Sequence, residues 1–133
     1  MIGLDTNILV RYLVQDDATQ SNLATIFIEK HCTDSEPGII GHIVLCELSW
    51  VLESNYQQSR DQVANVIEQI LQVSQLAIPN ADTVWRALGD FRNSNADFSD
   101  HLIARINQAT GCEYTLTFDK KAAKQGLFEL LKA

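Results

Sequence analysis

The sequence predicts a three-layer α/β sandwich, a short parallel sheet of four to five strands flanked by helices. Two observations carry that prediction. Short apolar runs alternate with longer segments of helical period along the whole chain, the pattern that places parallel strands between crossover helices. The 133 residues also contain no repeat, no low-complexity stretch and no linker, so a single domain over 1–133 is expected. A chain this long buries about two thirds of the surface its unfolded form exposes. It needs neither a disulfide nor a structural metal to fold.

The elements follow in order. Residues 2–4 read as a short buried strand that stops at Asp5. Residues 6–14 (TNILVRYLV) read as a helix with Ile8, Leu9 and Leu13 on one face. "DDATQSNLATIFIEKH" opens on cap residues, with Leu23, Ile26 and Phe27 at helical spacing. "DSEPG" is a turn signal and "GIIG" a short apolar strand candidate. Residues 43–56 are helical in pattern, with apolar residues around most of the circumference. In "SRDQVANVIEQILQVSQ", Ser59 and Gln62 form a capping box ahead of a stripe of Val63, Val66, Ile67, Ile70 and Leu71. "LAIP" reads as a strand, and "NADTVWRALGDFR" as a helix capped by Asn80. "DFSDHLIARINQATG" is a helix ended by Gly111 in a left-handed cap. "EYTLTF" is a strand, and "DKKAAKQ" starts a final helix.

Composition narrows the functional classes. No run of about 18 apolar residues is present to span a membrane, and the N-terminus lacks the basic region of a secretion signal. A cytoplasmic location is the expectation. Cys32, Cys46 and Cys112 are odd in number and widely spaced. They read as reduced thiols that fill the core. His31, His42 and His101 do not pair with them at zinc-ligand spacing. The net charge of −7 argues against non-specific nucleic-acid binding over the whole surface. The charge is uneven, however. Residues 1–104 carry five basic and fourteen acidic side chains, whereas residues 105–133 carry five basic and three acidic. An acidic protein still acts on phosphates when divalent cations neutralise a carboxylate cluster.

Four carboxylates stand out. Asp5 and Asp119 each follow a strand and precede a helix, so each is open to reading as a helix cap or as a ligand at a strand end. Glu47 has Ile43, Val44, Trp50 and Val51 as its helical neighbours. A carboxylate buried among them requires a partner or a proton. Asp97 fits an N-cap and Asp100 the third position of the same helix, where both would complement the helix dipole. His101 reads as an exposed helix residue. Asp5, Glu47, Asp100 and Asp119 gathered together would raise their own pKa values or recruit a cation, and hard oxygen donors suit Mg²⁺ or Mn²⁺.

"LDTNILVRYL", Glu47 in "CELSWVL", "DFSDHLIA" and "TLTFDKK" resemble the four acidic motifs of PIN-domain ribonucleases, in particular the toxin subunits of VapBC-type toxin–antitoxin pairs. The resemblance runs from residue 2 to about residue 125. It implies that Asp5, Glu47, Asp100 and Asp119 are metal-binding acids of a Mg²⁺- or Mn²⁺-dependent endoribonuclease. Asp119 is the least constant of the set. Thr6, Asn7 and Thr117 match supporting polar positions, and Asp97 stands where many relatives carry a further acid. The resemblance also implies a homodimer, and a cognate antitoxin protein that blocks the acidic pocket. Arg11, Lys120, Lys121 and Lys124 are candidate RNA contacts, with a solvated basic face as the alternative for the lysines. Two other classes remain open: a non-catalytic acidic binding module whose carboxylates are caps, and an aspartyl-nucleophile phosphatase. The second is disfavoured by "DTN" where such enzymes carry D-x-D.

Overall fold

The computed structural model describes residues 1–133. Seven helices and five short strands alternate along the chain, and every strand pair is parallel. They pack as two compact units, Met1–Pro79 and Asn80–Ala133. No helix is long and apolar enough to cross a membrane.

The first unit contains β1 (Ile2–Gly3), α1 (Thr6–Val14), α2 (Ala18–His31), β2 (Gly38–Ile39), α3 (His42–Asn55), α4 (Arg60–Gln72) and β3 (Leu76–Ala77). The strands order β1-β2-β3, with Ile2 opposite Gly38 and Gly38 opposite Leu76. Backbone bonds from Leu4 N to Ile39 O and from Ile40 N to Ala77 O, both 2.9 Å, carry the ladder one residue further. Gly38 lets the side chains of Leu4 and Cys32 pack closely where β1 and β2 meet. A Cβ there would lie 2.9 Å from Leu4 Cδ1 and 2.9 Å from Cys32 Sγ, closer than packed atoms tolerate. The helix starts are set by side chains. Asp17 accepts from Gln20 N at 3.0 Å. Ser59 and Gln62 close the expected capping box at 3.2 and 2.8 Å. Leu9, Ile28, Ile40, Leu45, Leu48, Leu52, Ile67 and Ile70 are fully buried.

In α1 and α2 the buried face differs from the one the apolar spacing suggests. α1 buries Thr6, Leu9 and Val10, leaving Ile8 exposed. α2 buries Ser21, Ala24 and Ile28, while Leu23 and Ile26 are 65% and 63% exposed. Small residues on the inner face let α2 lie close against α1. The displaced apolar face lines a groove of about 970 Å³ walled by Ile8, Val10, Leu23 and Phe27.

The second unit contains α5 (Ala81–Arg92), α6 (Phe98–Thr110), β4 (Thr115–Thr117), α7 (Lys120–Ala123) and β5 (Phe128–Leu130). β4 and β5 pair in parallel, Leu116 opposite Glu129. Two contacts lock α5 to α6. Phe91 and Phe98 meet edge to face at 5.8 Å. Arg105 Nε and Nη2 donate to Asp90 Oδ2 and Oδ1 at 2.6 and 2.9 Å, a bidentate pair. Gly111 ends α6 at φ 111°, a conformation that favours glycine. Asn80 stands at the start of α5 as expected, but its side chain makes no cap bond. The expected final helix is only four residues long. After Ala123 the chain turns, and Phe128–Leu130 forms a strand instead, with Phe128 buried against Ala104 and Ala122. All three cysteines are free, but only Cys32 fills the core. Cys46 is half-buried and Cys112 is exposed.

Candidate active site

In the first unit, Asp5 leaves β1 in extended conformation and caps α1, its Oδ1 accepting from Thr6 N at 2.7 Å. Thr6 is buried, and its hydroxyl donates to Glu47 Oε1 at 2.7 Å, across 41 residues of sequence. One threonine thus fixes an oxygen of each carboxylate. Asn7, the next residue, is exposed. Glu47 itself corrects an expectation, because it is exposed rather than buried. Its neighbours Ile43 and Trp50 are exposed as well, so the apolar sequence around Glu47 never encloses it. On the same helix, burial first and the Glu47 charge second push the Cys46 thiol up. Arg11 is turned into a network of its own. Its Nη1 donates to Asp16 Oδ1 at 2.8 Å, its Nε to Gln20 Oε1 at 2.8 Å, and Tyr56 donates to Asp16 Oδ2 at 2.7 Å.

In the second unit, Asp97 occupies the N-cap position of α6 but makes no cap bond. Asp100, one turn on, is partly buried. Its pKa lies above the usual carboxylate range, chiefly through desolvation, then through the charges of Asp97 and Asp119. Those three acids therefore share one electrostatic neighbourhood. Asp119 caps α7, Oδ1 accepting from Lys121 N at 2.8 Å and Ala122 N at 3.3 Å. Thr117 Oγ1 accepts from Asp119 N at 3.0 Å, which fixes the step from β4 into the loop. Lys120, Lys121 and Lys124 are exposed.

His101 is the second correction. It is 1% exposed, not on the surface. Its ring meets Phe91 edge-on, and Nε2 stands 2.5 Å from Ser94 Oγ, which also accepts from Ala96 N at 3.3 Å. This pair orders the turn that leads into Asp97 and Asp100. The sequence reading passed over it. Ser94, seven residues before a histidine and in a turn ahead of a helix, offers little signal by itself.

The donors gathered in each unit are carboxylate oxygens, the hard set that a small divalent cation takes. Within neither unit do three such side chains stand close enough to hold an ion together. The raised Asp100 nevertheless marks a place where positive charge would be stabilising.

No curated protein matches the sequence significantly. The PIN domain family does, over residues 2–126. That span takes in every one of these acids and the three-stranded sheet, and ends just before β5. PIN domains are generally metal-dependent nucleases, a chemistry in keeping with this donor set. The chain belongs to the PIN domain family.

Proposed function

We propose that this protein is a Mg²⁺- or Mn²⁺-dependent endoribonuclease, the toxin of a toxin–antitoxin pair, with residues 1–133 working as a single PIN-like domain. Asp5, Glu47, Asp100 and Asp119 hold the ion. Thr6, Asn7, Asp97 and Thr117 support them. The observation that carries this reading is the Thr6 clamp, which orients carboxylates from two separate elements and leaves each a second oxygen to offer. A divalent ion bound there lowers the pKa of water and offsets the charge that develops on the phosphoryl oxygens. The chain's own contribution is to hold the carboxylates still, and to keep at Asp100 a charge that burial first, and Asp97 and Asp119 second, disfavour and a cation would stabilise. No histidine pair is required, in keeping with the burial of His101 against Phe91 and Ser94. The products are a 5′-phosphate and a 3′-hydroxyl.

The apolar groove beside α1 and α2 supports a protein partner, since contiguous exposed apolar surface marks interaction sites. A cognate antitoxin is the occupant this reading assigns. A homodimer and a cytoplasmic location belong to the same reading. The rival, a non-catalytic acidic module, draws on the capping roles of Asp5 and Asp119.

Thermal melts with and without Mn²⁺ separate the two, alongside cleavage of labelled single-stranded RNA. An ion that binds the folded chain at a hundred times its Kd adds about 2.7 kcal/mol, so the melting temperature should rise clearly and EDTA should stop cleavage. An unchanged melting temperature together with no Mn²⁺-dependent cleavage would leave only the acidic module.

Thr6→Val isolates the clamp. It keeps the volume and deletes the hydroxyl that holds Glu47. Because Glu47 is exposed, water replaces the lost bond and stability should fall by no more than about 1 kcal/mol. Mn²⁺ affinity should fall about 10–100-fold, as when a residue that orients a metal ligand is removed. Isothermal titration reads that loss, and unchanged affinity would show that the clamp is dispensable.

A further inference from the structure

Strand β4 is inside out. Along an exposed strand, polar side chains ordinarily face water and apolar ones the interior. Here the two half-buried positions are Thr115 and Thr117, tied by Asn107 Nδ2 at 3.0 Å and by Asp119 N at 3.0 Å. The outward positions are Tyr114, Leu116 and Phe118, at 49%, 55% and 78% exposure. Tyr114 and Phe118 flank the strand at its two ends, with Leu116 exposed between them. Lys120, Lys121 and Lys124 follow directly, all exposed. This stretch lies in the part of the chain where basic residues outnumber acidic ones, in a protein whose net charge is −7.

The geometry points to the outer face of β4 and the lysines of α7 as a holding surface for single-stranded RNA. Bases stack on Tyr114 and Phe118, and the ammonium groups meet the phosphates. Two exposed rings at the ends of one short strand offer stacking surfaces that tolerate any base. A cationic segment beside them supplies the electrostatic half of such a site. Lys120, Lys121 and Lys124 suit the phosphates of a polyanion and the exposed rings beside them suit its bases, a pairing that fits RNA. The inference takes its ligand class from the ribonuclease reading. It adds the residues that grip the strand next to Asp119.

The test is fluorescence anisotropy of a labelled short single-stranded RNA against the full chain in EDTA, where cleavage plays no part. Phe118→Ala and Tyr114→Ala should each weaken binding about tenfold, the usual loss for one base–ring stack. Phe118→Leu should match Phe118→Ala, and Phe118→Trp should restore affinity. Each Lys→Ala change should lower the slope of log Kd against log salt by about 0.7. Circular dichroism checks that these exposed-site variants fold.

Unchanged affinity in both alanine variants, with wild-type cleavage intact in Mn²⁺, overturns this surface and leaves the nuclease reading standing. Phe118-dependent binding in a protein that never cleaves RNA keeps the surface and overturns the nuclease. Conversion of a dimer to a monomer by Phe118→Ala, with RNA affinity unchanged, gives the face to a second copy and overturns the inference.

Discussion

Asp5→Asn should lower RNA cleavage at least about a hundredfold while leaving the fold and its melting temperature nearly unchanged. The substitution separates the two things Asp5 can do. As a helix cap it needs only a side-chain oxygen for Thr6 N, and Asn supplies one as well as Asp does. As a metal ligand it needs a negative, hard oxygen, which Asn lacks. A change that deletes only an orienting neighbour of a metal ligand already costs about 10–100-fold, so loss of a ligand should cost more. The measurement is the initial rate on labelled RNA in Mn²⁺, paired with a melt monitored by circular dichroism. Full activity would make Asp5 a cap and nothing else. A collapse of the melting temperature would show that the charge itself stabilises the start of α1, and the cleavage result could then not be assigned to the metal.

Most of the element order was legible because helix starts and stops are local chemistry. Thr6–Val14, the Ser59–Gln62 capping box and the Gly111 terminator stand where the sequence puts them. Side-chain environment was much less legible. The spacing of Leu23, Ile26 and Phe27 gives a helix an apolar face. It does not say whether that face or the small residues Ser21 and Ala24 turn inward. Close packing of α2 on α1 favours the small face, and the apolar one became the wall of a groove. Glu47 failed for a related reason. Apolar neighbours enclose a carboxylate only when they are themselves buried, and Ile43 and Trp50 are not. The C-terminal strand was missed because "GLFELL" follows a lysine-rich helix start without a break signal other than Gly126. Pairing with β4, a tertiary event, decides it.

The candidate site divides in the same way. Asp5 and Asp119 were legible as residues at strand ends, and both proved to be caps as well as candidate ligands, roles that do not compete. The Thr6–Glu47 bond was not legible, since nothing local links positions 41 residues apart. Nor was the burial of His101, whose place between Phe91 and Ser94 depends on how α5 packs against α6.

The second large effect is expected at Asp100, where one substitution should stabilise the metal-free fold and abolish the response to the ion. Two influences compete there. The start of α6 favours a negative charge by about 0.3–1 kcal/mol. Burial, with Asp97 and Asp119 adding to it, disfavours that charge, and the balance leaves the folded pKa raised. A carboxyl whose pKa is higher folded than unfolded contributes stability that is fully present below its unfolded value, about 4. That contribution is lost as pH rises through the folded value. At neutral pH the ionised group is therefore a net cost that a cation would remove. Asp100→Asn should accordingly raise the melting temperature of the metal-free protein at pH 7, and the gap to wild type should close as pH falls below about 4. With Mn²⁺ the order should reverse, because wild type gains from the ion and the variant, short of a ligand, gains little. Cleavage should fall at least about a hundredfold. A variant that melts below wild type in EDTA would mean that the helix dipole, not the acidic neighbourhood, governs Asp100. A variant that keeps the full Mn²⁺ shift would place the ion elsewhere.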